Sequence, residues 1–497
     1  MQIDISMPNQ TNKLHALAKK PVFIALSMII LAGILLTLGG GTTQAQSNDN
    51  DWATPIILFE KTDALILEPV VTADSSGAVH VFWALHSEDD SDTGVSLIYY
   101  TRWDNAEWST PLDIIAASQI NFPNATVDSN GQAHVIWYGG RQLFYSQASV
   151  TDKSLSAKQW TDPTLIEQTG PHSYIATDST GQLHLVYPGV EAAGVYYQTS
   201  KDGGNTWSFP QNVSPTSTFN TAADFVRLAV SDDGAIIHVV WTEFLLPGYW
   251  PPVGVFHAYS TDGGQTWSGL TEIAGEGYTQ INVALVGENT VHVVWNGMAG
   301  VHGRYHRWSR DGGNTWSETL RLNTLGVDGS TGPPPLAVDS AGTLHLVVTE
   351  GGCVWYSSWQ NPRWSDPVCI SGAEARAANY SEEPTMTLSE GNRLHVVFWA
   401  DRHRLWYTTK QVSAPAVPPK PFPTEEISPL KITSPTALPM HTPTPTSTPT
   451  AATSLGKVVE EESKPANPGL SILVSILPVV LLIGGMIIIQ ILRTRSH

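Results

Sequence analysis

Between about residue 51 and residue 411, short apolar runs alternate with turn-forming clusters, and the whole pattern recurs about every 50 residues. The most regular part is a turn, often Asp-x-x-Gly, followed by His-Val-x-Trp or a close variant. It reads DSSGAVHVFW, DSNGQAHVIW, DSTGQLHLVY, DDGAIIHVVW, GENTVHVVW, DSAGTLHLVV and SEGNRLHVVF, with histidines at His80, His134, His184, His238, His292, His345 and His395. Each copy has an apolar run before the turn (PVVTAD, PNATVD), the histidine run after it, a third run (LIYYTRW, VYYQTS) and a fourth opened by Trp-Ser or Trp-Thr. Four short strands per repeat of this length predict one antiparallel blade, and seven repeats predict an all-β, seven-bladed β-propeller.

The seventh unit ends after Lys410 without a fourth strand, while Trp52 to Leu58 at the other end of the body is a strand without a unit. Pairing the two closes the ring and leaves no open sheet edge. One propeller domain is therefore expected over residues 51–411. Outside it, residues 1–45 have the basic start, apolar run and Thr43-Gln44-Ala45 end of a signal peptide, with an uncleaved signal anchor as the alternative. Residues 412–469 are rich in Pro, Thr and Ser and read as a disordered stalk. Residues 470–492 are apolar for long enough to span a bilayer, and Arg493 and Arg495 assign the short tail 493–497 to the cytoplasm. The expected location is the cell membrane, single-pass, with the propeller outside.

Composition removes several classes of function. Lys+Arg is 26 against Asp+Glu 45, a net charge of -19, which is the wrong sign for a partner held through its phosphates, so no nucleic acid is expected. The 41 Gly, 34 Pro and 18 Trp suit many short strands and exclude an all-α chain. The two cysteines, Cys353 and Cys369, fall on the third and fourth strands of the sixth unit around Asn361-Pro362. That hairpin is expected to set them directly opposite each other in a disulfide, with two buried free thiols as the alternative.

Three turns between third and fourth strands read SKDGGNTW (Ser200 to Trp207), STDGGQTW (Ser260 to Trp267) and SRDGGNTW (Ser309 to Trp316). They resemble the Asp box, S-x-D-x-G-x-T-W, of the sialidase and neuraminidase superfamily of BNR-repeat β-propellers. The residue chemistry is structural. Asp202, Asp262 and Asp311 can accept backbone N–H groups of their own turn, Gly204, Gly264 and Gly313 supply positive φ, and Trp207, Trp267 and Trp316 can pack on the sheet. The resemblance implies that these boxes lie on the face opposite an active site. It also implies an arginine trio, an acidic general acid, a Tyr–Glu nucleophile and a Phe/Tyr-Arg-Ile-Pro motif, and that last motif is absent from the chain. Catalytic domains of that superfamily have six blades, where the repeat count here is seven. Both departures favour binding over sialic acid hydrolysis.

Equivalent histidines on successive blades stand about 10 Å apart or more, too far to share one ion, so they are expected to be buried and hydrogen-bonded, with no metal. Ligand-facing residues should come from the loops between second and third strands and between blades. The richest is the blade-four loop from Glu243 through Tyr249 and Trp250 to Pro252, whose aromatics suit a sugar ring or a peptide, or else cap the mouth. Arg304 and His403 are further ligand-binding candidates, with Arg404 and His302 close by. Glu383, Tyr380, Arg141, Arg376 and Arg402 are the candidates for catalysis, and Glu68, Asp224 and Glu383 stand at the starts of inner strands. Asp90 and Asp92, in the acidic run Ser87 to Gly94, are the calcium candidates, with no other cofactor expected. The leading expectation is a membrane-tethered propeller that binds a glycan or an extracellular protein without catalysis. The alternatives are a divergent exo-glycosidase of sialidase type and a structural envelope protein.

Overall fold

A computed structural model describes residues 52–423 apart from 88–93, 152–155, 191–193, 215–219, 249, 299, 323–331 and 378–380. The expected signal segment, the rest of the stalk and the apolar segment 470–492 lie outside the described residues, among which no helix is long and apolar enough to cross a membrane. The body forms seven four-stranded antiparallel sheets, each with its strands in chain order except the last. The innermost strands are Ala64–Ala73, Asn121–Val127, Tyr174–Thr177, Thr221–Val230, Tyr278–Val286, Leu336–Val338 and Ser381–Ser389.

In the seventh sheet the outer strand comes from the other end of the chain. Ile56–Glu60 pairs with Arg404–Gln411, with Ile56 opposite Tyr407 and Glu60 opposite Arg404. The strand thus begins four residues later than the sequence pattern suggests. Trp52-Ala53 instead takes the place of the Trp-Ser pair of other blades, because the Ala53 amide donates to Thr409 O (2.9 Å) as Ser208 donates to Thr199 and Ser268 to Tyr259 (both 2.8 Å).

The second strand of each blade lies between its own sheet neighbours and the adjoining blades, so both faces are covered and its sequence reads as nearly continuous apolar residues. Val79–Ser87, Ile237–Leu245 and Arg393–Ala400 are buried along almost their whole length. The polar exception is the repeated histidine. In blade one His80 is fully buried, with Nδ1 at 2.8 Å from the Tyr100 hydroxyl and Nε2 at 2.9 Å from Asp74 of the preceding turn. His184 and His345 repeat this with Tyr197 and Asp178 and with Tyr356 and Asp339. In blades four and five the tyrosine is replaced by His257 and His306, each 3.0 Å from the repeat histidine. These histidines are structural struts that bond the third strand, and in blades one, three, six and seven they bond the turn as well.

The Asp boxes lock onto the same struts. Asp202 accepts from Thr206 N (2.9 Å), Thr206 Oγ1 (2.6 Å) and Ser200 Oγ (2.8 Å), and these hydrogen bonds hold its pKa down to about 2. Gly204, at φ 84°, lies so close to Tyr145 of the preceding blade that any side chain would collide with the ring. Trp207 meets that same Tyr145 edge-on at 5.8 Å, Trp267 meets Tyr197 at 5.1 Å, and Trp316 meets His257 at 5.1 Å. Each box therefore clamps its blade to the one before it.

Cys353 and Cys369 form the expected disulfide, with Cα atoms 6.0 Å apart. The geometry differs in register: Cys369 faces Trp355, so Cys353 sits two residues further along and the bridge runs diagonally rather than straight across.

Residues 412–423, the first part of the tract expected to be a stalk, are bound to the propeller. Val412 N donates to Asn392 O (2.8 Å), Asn392 Nδ2 to Ala414 O (3.0 Å), Val417 N to Glu390 O (2.8 Å) and Lys420 N to Ser75 O (2.7 Å). Ser340 Oγ donates to Pro415 O, and Phe422 lies against Gly131. This strap thus links the first-to-second-strand turns of blades six, seven, one and two, across the seam where the ring closes. Its run of prolines suits an extended path whose few remaining polar groups are spent on those turns. Ending the chain after Gln411 rather than after Pro423 is expected to reduce stability by about 2–4 kcal/mol, from the lost hydrogen bonds and packing. Thermal melts of the two truncations check this, and equal midpoints would show that the strap only rests on the surface.

Candidate functional site

The strand register places the start of every inner strand on the same face as the loops between second and third strands. The Asp boxes occupy the other face, beside the first-to-second-strand turns: Gly263 N of one box donates to Ala235 O of such a turn (2.9 Å). On the first face each inner strand carries or follows one residue in the left-handed region, at a bulge in blades one, two, four, five and seven. These residues are Glu68, Phe122, His172, Phe225, Gln280 and Glu383, at φ 48° to 57°, and blade six uses Gly332 at 71°. A non-glycine residue in that region is strained and persists only where its surroundings hold it. Here the holding comes partly from the previous blade. Glu383 Oε2 accepts from Glu68 N (2.7 Å), Glu68 Oε2 accepts from Phe122 N, and Thr242 Oγ1 accepts from Gln280 N (3.0 Å). The result is a ring of blade-to-blade hydrogen bonds around the mouth of the central channel.

The ring divides by chemistry. At blades seven and one stand Glu383 and Glu68. Burial, reinforced by repulsion from Glu383 and only partly offset by the Phe122 N–H, raises the Glu68 pKa well above the usual carboxylate range. Glu383 also accepts from Trp399 Nε1 (2.8 Å). At blades two to four stand three rings in contact: His172 is 3.8 Å from Phe122 and 4.2 Å from Phe225 between centroids. His172 Nδ1 is bonded to Asp224 Oδ1 at 2.6 Å, an oxygen that also accepts from Phe225 N. Glu68, Phe122, His172, Phe225, Glu383 and the strands behind them line an open cavity of about 730 Å³ in the channel.

The candidates from sequence are scattered over this face. Glu383 and Arg402 are linked through Trp399, over whose ring the Arg402 guanidinium lies at 5.5 Å. Arg376 is exposed on the short helix Gly372–Ala377, and Arg141 is exposed at the tip of a blade-two hairpin. Arg404 is bound to Asp401 at 2.6 and 3.1 Å, and His403 Nδ1 donates to Ala64 O (3.0 Å). Arg304 is fully buried, donating to Asn296 Oδ1 (2.6 Å) and Thr349 O (2.8 Å), so it supports the fold rather than facing a ligand. Glu243 is also buried and accepts from Trp241 Nε1 (3.2 Å) and Thr221 Oγ1 (3.0 Å). Trp250 and Leu245 of the same loop project into solvent, 55% and 52% exposed. Tyr249, Tyr380, Asp90 and Asp92 lie outside the described residues. Sequence reading missed Phe122, His172 and Phe225. Their signal was positional: each lies six residues before the polar turn residue, Asp128, Asp178 or Ser231, as Glu68 does before Asp74 and Glu383 before Ser389.

Fold and repeats together define a seven-bladed β-propeller that carries Asp-box turns. Residues 148–351 match the model of the BNR repeat-like domain. Among solved structures, the BP39L lectin from Burkholderia pseudomallei superposes with a TM-score of 0.51 at 12% identity, over 74% of this chain and 100% of that one. A protein of unknown function from Dyadobacter fermentans gives 0.47 at 10% identity, over 73% and 99%. The NanB sialidase from Streptococcus pneumoniae gives 0.42 at 12% identity, over 72% and 71%. No curated protein matches the chain by sequence.

Proposed function

We propose that this chain is a cell-surface propeller that binds a carbohydrate on the face carrying the channel mouth, without hydrolysing it. The observation that carries this reading is the use already made of the acidic residues on that face. Glu383, Glu68 and Glu243, the acidic candidates among the described residues there, are all acceptors for donors of the fold itself rather than a free acid and base pair. What the face does offer is the projecting Leu245–Trp250 loop and the aromatic wall at blades two to four, surfaces suited to stacking on a sugar ring. The lectin likeness supports the fold on which the reading rests. The tether we propose is the apolar segment 470–492, with the Pro-rich tract 424–469 as spacer and the propeller outside the cell.

A hydrolytic reading draws on Glu68, whose retained proton is what a general acid requires. The test that separates the two is a glycan array run beside a panel of fluorogenic sialosides and neutral glycosides. Binding without turnover is expected, with Trp250→Ala weakening it about tenfold, on the order of 1.4 kcal/mol. Turnover that Glu383→Gln abolishes while the protein stays folded would make this chain a glycosidase. Binding to an extracellular protein but to no glycan would move the ligand to the other class.

A further inference from the structure

Halfway down the channel a second ring of equivalent residues, four positions before each turn, faces the cavity: Asn124, Tyr174, Arg227, Asn282 and Thr385. Most are struts between blades. Asn124 Oδ1 accepts from Ile175 N (3.0 Å), Thr385 Oγ1 from Val71 N (3.5 Å), and Asn282 Nδ2 donates to Pro334 O (2.9 Å). Arg227 is different. It brings a full positive charge to a position where its neighbours bring neutral groups. One guanidinium nitrogen, Nη1, donates to the carbonyl of Val226 (2.8 Å), and the group lies over the Tyr174 ring at 5.2 Å. Among the described residues no carboxylate comes within ion-pair distance of it. The nearest in sequence, Asp224, is spent on His172 and on the Phe225 amide. A guanidinium carries five N–H donors, and Arg227 is one of the residues that line the cavity.

We propose that the channel holds a small carboxylate or oxyanion on the guanidinium of Arg227, beside the Tyr174 ring. Arg227 is half-buried and feels the Asp224 charge without a contact ion pair, so an anion in the channel would supply the direct counter-charge. The planar fork of arginine suits two oxygens of one carboxylate or phosphate, which a lysine ammonium would hold only as a point charge. Burial lowers the Arg227 pKa, and the Tyr174 hydroxyl and the Asp224 carboxylate offset this in part. The cavity is large enough for the anion to be one group of a larger molecule. This site shares its cavity with the Phe122, His172 and Phe225 rings but not with the loop that carries Trp250, so loss of anion binding in Arg227→Met and loss of glycan binding in Trp250→Ala are separate outcomes.

The test is isothermal titration of the full chain in detergent with sodium acetate and, separately, with sodium phosphate, at fixed ionic strength. Saturable one-to-one binding of at least one anion is expected, weakened at least tenfold by Arg227→Met and less by Arg227→Lys, which keeps the charge. The acetate and phosphate arms tell a carboxylate site from a phosphate site. No saturation with either anion overturns the proposal, as does Arg227→Met binding as tightly as the parent. Melting curves in anion-free buffer provide the second readout. Arg227→Met is expected to unfold no earlier than the parent there and to lose the parent's anion-dependent rise in midpoint. An earlier midpoint for Arg227→Met, with no anion dependence in the parent, would make Arg227 a blade-to-blade strut and sink the site.

Discussion

Removing the strand Ile56–Glu60 is expected to abolish the monomeric propeller. Without it, Arg404–Gln411 becomes an unpaired edge, its backbone groups open to any other chain. The loss reaches further than one ladder of hydrogen bonds. Phe59 packs against Trp83 and Tyr99, both at 5.1 Å between centroids, and Leu58 and Phe59 cover the cluster of Trp83, Val397, Leu405 and Tyr407. A chain beginning after Glu60 should therefore appear as soluble aggregate or as strand-exchanged oligomer in size-exclusion chromatography with light scattering. The single change Phe59→Ala, which leaves the ladder in place, is expected to keep the monomer and to lose about 2–3 kcal/mol, somewhat below the range for a fully buried phenylalanine. A deletion protein that stays monomeric with an unchanged midpoint would mean that the seventh blade does not need its fourth strand.

Between pH 7 and pH 5 the propeller is expected to lose several kcal/mol of stability. Burial holds His238 and His292 down to about 4 and His395 down to about 3, and lowers His80, His257 and His306 as well. In the unfolded chain each histidine titrates near 6.5. As pH falls below about 6.5 the unfolded state takes up protons that the folded state refuses, so the equilibrium moves toward unfolding. At pH 5 the effect is at most on the order of 2 kcal/mol for each of His238, His292 and His395. Glu68 works in the opposite sense. Its folded pKa is raised, so it stabilises at low pH and loses that contribution as pH rises through its folded value. One such group does not offset several histidines. The Asp boxes act in a separate window: with folded values of about 2, Asp202, Asp262 and Asp311 give up their contribution only as pH drops from about 4 toward 2. Urea unfolding at pH 7, 6 and 5 measures the histidine effect, and a midpoint that does not move across that range would show that the histidines are not held neutral.

Both expectations trace back to features that differ in how readable they were. The histidine of each blade announces itself, because a polar residue at one place in every buried strand must be bonded to something, and the tyrosine or histidine that bonds it stands in the next strand. The Asp boxes are nearly as local: the side-chain hydrogen bonds of Ser200 and Asp202 are made within the turn, and the Tyr145 hydroxyl, donating to Gly203 O, reaches it from the preceding blade. The diagonal cysteine register was less accessible, since a shift of two residues leaves both side chains on the same face of the sheet and the apolar pattern unchanged. The strap was hidden for a related reason. Proline-rich sequence has no periodicity that tells an extended segment lying on a surface from one in solvent, and the contacts of Lys420 reach back to Ser75.

The arginines show the limit most clearly. By sequence Arg304 stands on the functional face beside other cations, yet the fold buries it between Asn296 and Thr349. Arg227, unremarkable in the run Asp224-Phe225-Val226-Arg227, faces the channel cavity. Sequence alone determined the repeat, the blade count, the closure of the ring by its own N-terminal strand and the role of the Asp boxes, because each depends on short-range spacing that recurs, or is conspicuously missing, from unit to unit. Only the tertiary structure decided which side chains surround the channel and which of them are already spent. That depends on where seven separately folded sheets bring residues some 50 positions apart into one ring, and on which backbone donors are left there to be satisfied.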